Sequence, residues 1–375
     1  MTIAIFCPTF GEYAGIGRIA RTLAREFRVQ GHTVLVIARP GSETPTADVA
    51  AMLRLTLPQT PRPGWRPGPQ TRFLGRLAAS YGPLRRFLQS RDADVLLSLG
   101  ISTFAPFALL ASTVVPVVLS LQGGEPSGRL AARPAIFRAL LRRSRGIAAC
   151  ARSLREQALR LAPSVRDRIT VIPNGVDPER FETATPHGHS RPYLLAVGRL
   201  TRQKGFDVLL DALPRVPAVA RGRADLLVAG DGPDLEALRS RAAALGLDGN
   251  VLFLGAMDAE RLVSLYHGAR LVAVPSRWEG LPLVCLEAMA SGRPVVATTV
   301  DGIPDAVVDE ETGLLVPPER SDALAAAITR LLDDPARASR LGDAGRTRAR
   351  MHFAWPALAQ RHLELLARAV ASPSP

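Results

Sequence analysis

Short apolar runs recur along the whole chain, with amphipathic stretches between them. In the first half the runs are "TIAIFC", "TVLVIA", "DVLLSL", "VPVVLSL" and "GIAAC". Apolar runs of strand length alternating with helical patterns predict parallel strands joined by crossover helices. The segment Pro40 to Gln70 breaks the alternation, because "PQTPRPGWRPGPQ" is too rich in Pro and Gly for regular structure. It is expected as a long functional or mobile loop beside the mouth of the sheet. "ITVIPNGVDPERF" closes this half, and the polar stretch Glu182 to Arg191 reads as a linker. A second alternation follows, with strands expected at "YLLAVG", "ADLLVAG", "NVLFLG", "RLVAVP", "RPVVAT" and "GLLVPP". The expected fold is therefore α/β, with two doubly wound, Rossmann-like domains facing each other across a cleft and ligands at the carboxyl ends of the strands. The boundaries read as 1–180, 181–352 and a last helix over 353–375. The tail from Ser321 to Val370 is predicted helical throughout, with Leu358, His362, Leu365, Leu366 and Ala369 at helical spacing near its end.

A chain of 375 residues exceeds one ordinary core and fits two domains. No stretch reaches the roughly 18 uninterrupted apolar residues that span a bilayer. The opening "MTIAIFCPTF" lacks the basic start, apolar stretch and small-residue cleavage site of a secretory signal, so a cytoplasmic protein is expected. Cys7, Cys150 and Cys285 stand far apart in apolar surroundings and are expected as buried thiols. The net charge of +13 is unevenly shared: residues 1–175 carry 24 Arg against 9 acids, or +15, and the remainder 23 Lys plus Arg against 25 acids, or −2. The basic half suits an anionic membrane or an acidic substrate; nucleic acid is not expected, because no binding module accompanies the arginines. "PAIFRALLRRSRG" places Ile136, Phe137, Leu140 and Leu141 on one helix with Arg138, Arg142 and Arg143. That pattern fits peripheral docking on the inner face of a membrane, or equally a core-packed helix with a solvated basic side.

Candidate chemistry lies at the strand ends. Gly15, Gly17 and Ala20 formally match G-x-G-x-x-A, but the glycines come late after the first strand, and the second strand closes on Arg39 with no acid to hold a ribose. What remains is a glycine-lined loop opening a helix at Gly17, able to approach phosphate or simply to make a helix-entry turn. In the second half Arg199 and Lys204 follow the first strand, and Lys204, the sole lysine, is expected to start the helix "KGFDVLLDAL". Two cations there suit a diphosphate; a solvated helix position is the plainer alternative for the lysine. In "PSRWEGLPLVCLEAMASG", Glu279 lies in a loop, Pro282 in the first helical turn and Gly292 at the helix end. The amides of Gly280, Leu281 and Leu283 are expected as near-free donors. Glu287 sits deeper, on a helix apolar nearly all round, where a carboxylate needs hydrogen-bond donors such as two ribose hydroxyls.

The ordered set "AGIG", "IPNGVD", "GRLTRQKG", "VAGDGP", "VPSRWEGLPLVCLEAMASG" and "ETGLLV" resembles the retaining glycosyltransferases of the GT-B fold, family 4, over nearly the whole chain. Glu279 and Glu287 match that family's E-x7-E pair. The resemblance implies that Arg199 and Lys204 bind the diphosphate of a nucleotide diphosphate sugar, Glu287 its ribose, and Glu279 with the following amides the transferred sugar. It implies further that Gly17 approaches the phosphate from the first domain and that the last helix crosses back to pack there. Many relatives carry a histidine where this chain has Gln122; an amide can orient a sugar but takes up no proton at neutral pH. Glu125 is the other candidate at that spot.

The expected activity is a metal-independent, retaining transfer to a small-molecule, lipid or glycan acceptor, and the resemblance implies front-face attack assisted by the leaving phosphate. No cofactor is expected, and no DxD-like cluster accompanies the cation pair to hold a metal. Phe253 to Met257, "FLGAM", is expected beside the base. The alternatives are an inactive sugar-binding protein of the same fold and a nicotinamide-dependent dehydrogenase, which the missing acid after the second strand disfavours.

Overall fold

Parallel strands are covered on both faces, so their residues must be apolar at successive positions rather than at alternate ones. The computed structural model describes residues 1–11, 15–43, 47–56, 67–99, 105–123 and 134–372. Its strands are β1 Thr2–Phe6, β2 Thr33–Ala38, β3 Ala51–Arg54, β4 Val95–Leu99, β5 Val117–Leu121, β6 Gly146–Ala149 and β7 Ile169–Val171, then β8 Tyr193–Val197, β9 Asp225–Ala229, β10 Val251–Gly255, β11 Leu271–Val274, β12 Val295–Thr298 and β13 Gly313–Val316. They form two sheets, ordered β3-β2-β1-β4-β5-β6-β7 and β10-β9-β8-β11-β12-β13, with parallel pairing throughout. Both orders reverse direction beside their first strand, at β1/β4 and at β8/β11. The fold is the α/β GT-B fold.

The chain divides into two units, Met1–Asn174 with the C-terminal segment from Trp355, and Gly175–Ala354. In the first, helix Trp355–Ala371 buries Trp355, Leu358, Ala359, His362, Leu363, Leu365, Leu366 and Ala369 against helix Gly15–Val29 and strands β4 to β6. All three cysteines are free and buried, and burial pushes the Cys7 thiol up to about 12. No described helix is long and apolar enough to cross a membrane.

Three expectations change. The Pro/Gly-rich segment is not uniformly a loop: β3 pairs with β2, and helix Pro67–Ser90 begins inside it. β3 is a half-exposed edge strand, so it carries no continuous apolar run to read. Residues 57–66 lie outside the described residues. The tail is three helices, because the Asp334 side chain caps Pro335–His352 by accepting the Arg337 N–H at 2.9 Å, and Phe353–Ala354 break the next turn. The stretch read as a linker is fastened to the second unit: His189 (2.7 Å) and Arg191 (2.9 Å) both pair with Asp225, itself 1% exposed. In helix Pro134–Arg143, Phe137, Leu140 and Leu141 are buried in the core, leaving Arg138, Arg142 and Arg143 outside. The apolar face of this helix thus packs into the core, with Ile136 half-buried.

His362 Nδ1 donates to the Leu358 carbonyl at 2.9 Å, while Nε2 is buried without a partner among the described residues. Burial pushes its pKa down to about 4, so the unfolded chain takes up a proton from about pH 6.5 downward while the folded chain refuses it until about 4. Stability is full above that window and falls through it, by about 2 kcal/mol at pH 5. His362→Leu is therefore expected to lessen the drop in urea midpoint between pH 7.5 and pH 5; an unchanged drop would place the acid sensitivity elsewhere.

Candidate active site

β8 and β11 are hydrogen-bonded neighbours, so the segments leaving their carboxyl ends lie side by side at the point where the strand order reverses. After β8 come Gly198, Arg199 and Leu200, then a 3₁₀ turn over Arg202–Lys204. Lys204 therefore does not open the helix: Gly205 separates it from helix Phe206–Ala212. Gly205 has φ +65°, and a Cβ there would stand 2.0 Å from the Pro275 carbonyl oxygen, so only glycine lets the turn pass beneath the β11 loop.

That loop carries Ser276 to Pro282 into helix Leu283–Ala290, with Pro282 as the N-cap rather than a first-turn residue. It is bolted to the β8 turn. The Arg277 N–H donates to the Gln203 carbonyl (2.8 Å), and Gln203 Nε2 donates to the Trp278 carbonyl (3.0 Å). Arg277 reaches both Asp207 oxygens (2.7 and 2.8 Å) and the carboxylate of Glu319. Burial alone would raise the Asp207 carboxyl, but the hydrogen bonds and charge of Arg277, together with the backbone N–H groups of Asp207 and Val208, outweigh it and hold the group below its usual range.

These ties set Lys204 against Glu279. Lys204 Nζ lies 2.5 Å from Glu279 Oε1, which also accepts from Ser276 Oγ at 2.8 Å. Side-chain exposures are 19% and 7%, so this is a nearly buried ion pair. Glu279 Oε2 takes no protein donor among the described residues. The Glu279 N–H donates to Asp301 Oδ2 at 2.8 Å. Burial pushes the Asp301 carboxyl up; the Glu279 amide works against that rise and the Glu279 charge adds to it. Glu287 is 1% exposed and accepts from the Tyr266 hydroxyl at 2.8 Å. Burial raises the neighbouring Cys285 thiol, with the charges of Glu279 and Glu287 adding to the rise and that of Lys204 opposing it. Arg199 is exposed, and its guanidinium has no protein partner among the described residues.

The other expected residues divide. Gly280, Leu281 and Pro282 are buried at the helix start, with Leu283 half-buried. Phe253 to Met257 end the edge strand β10, partly exposed. Gly15, not Gly17, is the first residue of helix Gly15–Val29, and a Cβ on it would meet nothing within 4 Å. Gly17 is confined by its own loop, since a Cβ would lie 2.7 Å from the Thr9 carbonyl oxygen. Gln122 Nε2 donates to Ser120 Oγ at 2.7 Å, and Oε1 is buried without a partner among the described residues. Glu125 lies outside the described residues. Sequence reasoning missed Ser276, Tyr266 and Asp301. Ser276 stands three positions before Glu279 and was within reach; Tyr266 and Asp301 lie 21 and 22 positions from their partners, beyond any local signal.

A family profile described as "Glycosyltransferase Family 4" matches residues 13–180, and one described as "Glycosyl transferases group 1" matches residues 178–348. The chain belongs to the GT-B glycosyltransferases of family 4. Among relatives, it is 33% identical to a glycogen synthase of Mycobacterium tuberculosis over 67% of this chain and 61% of that protein. It is 37% identical to a GDP-mannose-dependent alpha-(1-6)-phosphatidylinositol monomannoside mannosyltransferase of Mycolicibacterium smegmatis over 52% of this chain and 55% of that protein. The matches thus span about six tenths or less of these relatives' lengths. The sucrose-phosphate synthase of Thermosynechococcus elongatus shares the fold, with a TM-score of 0.81 at 23% identity over 99% of this chain and all of that one.

Removing the Tyr266 hydroxyl takes a donor from a buried carboxylate. Tyr266→Phe is expected to cost about 1–3 kcal/mol, read as a lower urea midpoint with an unchanged circular dichroism spectrum at pH 7.5. A midpoint equal to the parent's would mean that this hydrogen bond does not support Glu287.

Proposed function

We propose that the chain transfers a glycosyl group from a nucleoside diphosphate sugar to an acceptor, with retention at the anomeric carbon and no metal ion. The observation that carries this reading is the nearly buried Lys204–Glu279 pair at the β8/β11 reversal, with the exposed Arg199 on the same loop as Lys204. An ammonium and a guanidinium at these strand ends supply the positive charge a diphosphate needs. Fixed cations stabilise it further as its charge grows during bond cleavage. In the ligand-free chain Glu279 neutralises Lys204; a bound diphosphate offers Lys204 a second anionic partner. Glu279 Oε2 and the amides that follow, Gly280, Leu281 and Leu283, then receive the transferred sugar, and Glu287 the ribose. Gln122 is assigned to orienting the sugar, with the leaving phosphate taking the acceptor's proton.

GDP-mannose, named for one relative, is a first donor to try, and the relatives' names suggest a glycan or a glycolipid as acceptor class. Three free, buried thiols and the dependence on nucleotide sugars fit a cytoplasmic enzyme. Incubation with UDP-, GDP-, ADP- and dTDP-sugars should release nucleoside diphosphate from at least one donor, with the donor's anomeric configuration kept in the product. A panel in which no nucleotide is released, and none raises the thermal midpoint, would remove the reading.

Lysine touches a single oxygen of Glu279, whereas the planar fork of arginine favours both. Lys204→Arg is expected to engage Oε2 as well and to lower turnover about 10–100-fold while leaving the ligand-free thermal midpoint in place. Turnover equal to the parent's would show that the site does not distinguish the two cations.

A further inference from the structure

Asp301 follows β12 with φ +43°, a left-handed backbone that a residue with a Cβ adopts reluctantly. Aspartate tolerates such positions where its short side chain bonds to nearby backbone. The hydrogen bond here is a distant one: Oδ2 accepts the N–H of Glu279, 22 positions earlier, at 2.8 Å. The carbonyl of the same peptide group belongs to Trp278, and it accepts from Gln203 Nε2 at 3.0 Å. The peptide plane between Trp278 and Glu279 is therefore held at both ends. Gln203, on the loop after β8, holds its oxygen; Asp301, on the loop after β12, holds its nitrogen. Lys204 and Ser276 grip the Glu279 side chain, but Asp301 grips the main chain from which the amides of Gly280 to Leu283 extend.

We propose that Asp301 is a positioning residue of the donor site, which fixes the 278–279 peptide plane and through it the orientation of Glu279 toward the transferred sugar. The inference rests on the proposed glycosyl transfer, and it separates sugar from nucleotide. Arg199 leaves the loop after β8 and Glu287 is held by Tyr266, so the diphosphate and ribose contacts assigned to them are anchored elsewhere, and Lys204 meets this segment through the Glu279 side chain, which Ser276 also holds. Loss of the Asp301 acceptor should therefore damage use of the sugar and spare recognition of the nucleotide.

The test compares Asp301→Gly with Asp301→Asn. Glycine suits φ +43° better than aspartate but has no acceptor, whereas asparagine keeps an amide oxygen in the same place. Asp301→Gly is expected to keep or raise the ligand-free thermal midpoint, to bind free nucleoside diphosphate as the parent does, and to lose about 10–100-fold in kcat. Asp301→Asn should recover most of that loss. Hydrogen–deuterium exchange of the peptide containing Glu279 to Leu283 should be faster in the glycine variant than in the parent or the asparagine variant. A glycine variant with the parent's kcat, or an asparagine variant as damaged as the glycine one, overturns the positioning role. A parent that turns over no donor sinks the functional reading instead. Exchange then decides the clamp by itself: equal rates in parent and glycine variant overturn it, and faster exchange in the glycine variant alone upholds it.

Discussion

A lysine ammonium four-fifths withdrawn from water at the end of a buried strand must have a carboxylate beside it, or the folded state carries an uncompensated charge. In this chain that carboxylate is Glu279, and much of the second unit's architecture serves to bring the two together. They lie 75 positions apart, on loops leaving neighbouring parallel strands. Neither loop alone fixes the pair. Gly205 lets the Lys204 turn slide under Pro275, Gln203 exchanges hydrogen bonds with the opposing loop in both directions, and Arg277 reaches across to the helix that follows Lys204. A preorganised cation of this kind does not have to reorganise as charge develops on a leaving group, which is the property an electrostatic catalyst requires.

The same logic extends to the acids at unfavourable backbone angles. Asp301, Glu310 and Glu319 all have positive φ in the second unit, at a cost of roughly 1–2 kcal/mol each. Each uses its carboxylate to hold something elsewhere: Asp301 the Glu279 amide, Glu310 the guanidinium groups of Arg330 and Arg337, and Glu319 that of Arg277. Glycine at those places would relieve the backbone and release the partner. Arg277 is thus shared between Asp207, in the helix after β8, and Glu319 after β13, so segments from both sides of β11 are laced to one side chain. The carboxyl end of the sheet behaves as one cross-linked rim rather than as independent loops.

Most of this fold was legible in the sequence because parallel strands announce themselves as short apolar runs, and such runs mark eleven of the thirteen strands named above. β3 was missed for the converse reason: an edge strand with exposed positions needs no apolar run, and its Pro/Gly-rich surroundings argued against any strand. The linker misled in a similar way. Its polarity serves the buried Asp225, to which His189 and Arg191 are paired, and polar residues with buried partners look like solvated ones when read in sequence. At the site, Arg199, Lys204, Glu279 and Glu287 stood out because charge at the end of an apolar run or inside an apolar helix is conspicuous. Tyr266 and Asp301 did not, because their significance lies wholly in what folding brings to them.

Lys204 is the one lysine among 47 Lys plus Arg residues, and the geometry gives a reason for it. Elsewhere in this unit some arginines pair with carboxylates through both oxygens, as Arg241 does with Asp211 and Arg277 with Asp207. Such a fork engages both oxygens at once. Lys204 meets Glu279 as a point charge on Oε1, an oxygen it shares with Ser276, and Oε2 is left without a protein donor among the described residues. A carboxylate that must keep its charge, stay oriented and still offer one oxygen to a ligand is served by an ammonium and a hydroxyl on the other. In a chain that otherwise uses arginine where it could use lysine, the exception falls where bidentate pairing would engage the second oxygen, the one that the proposed sugar contact uses.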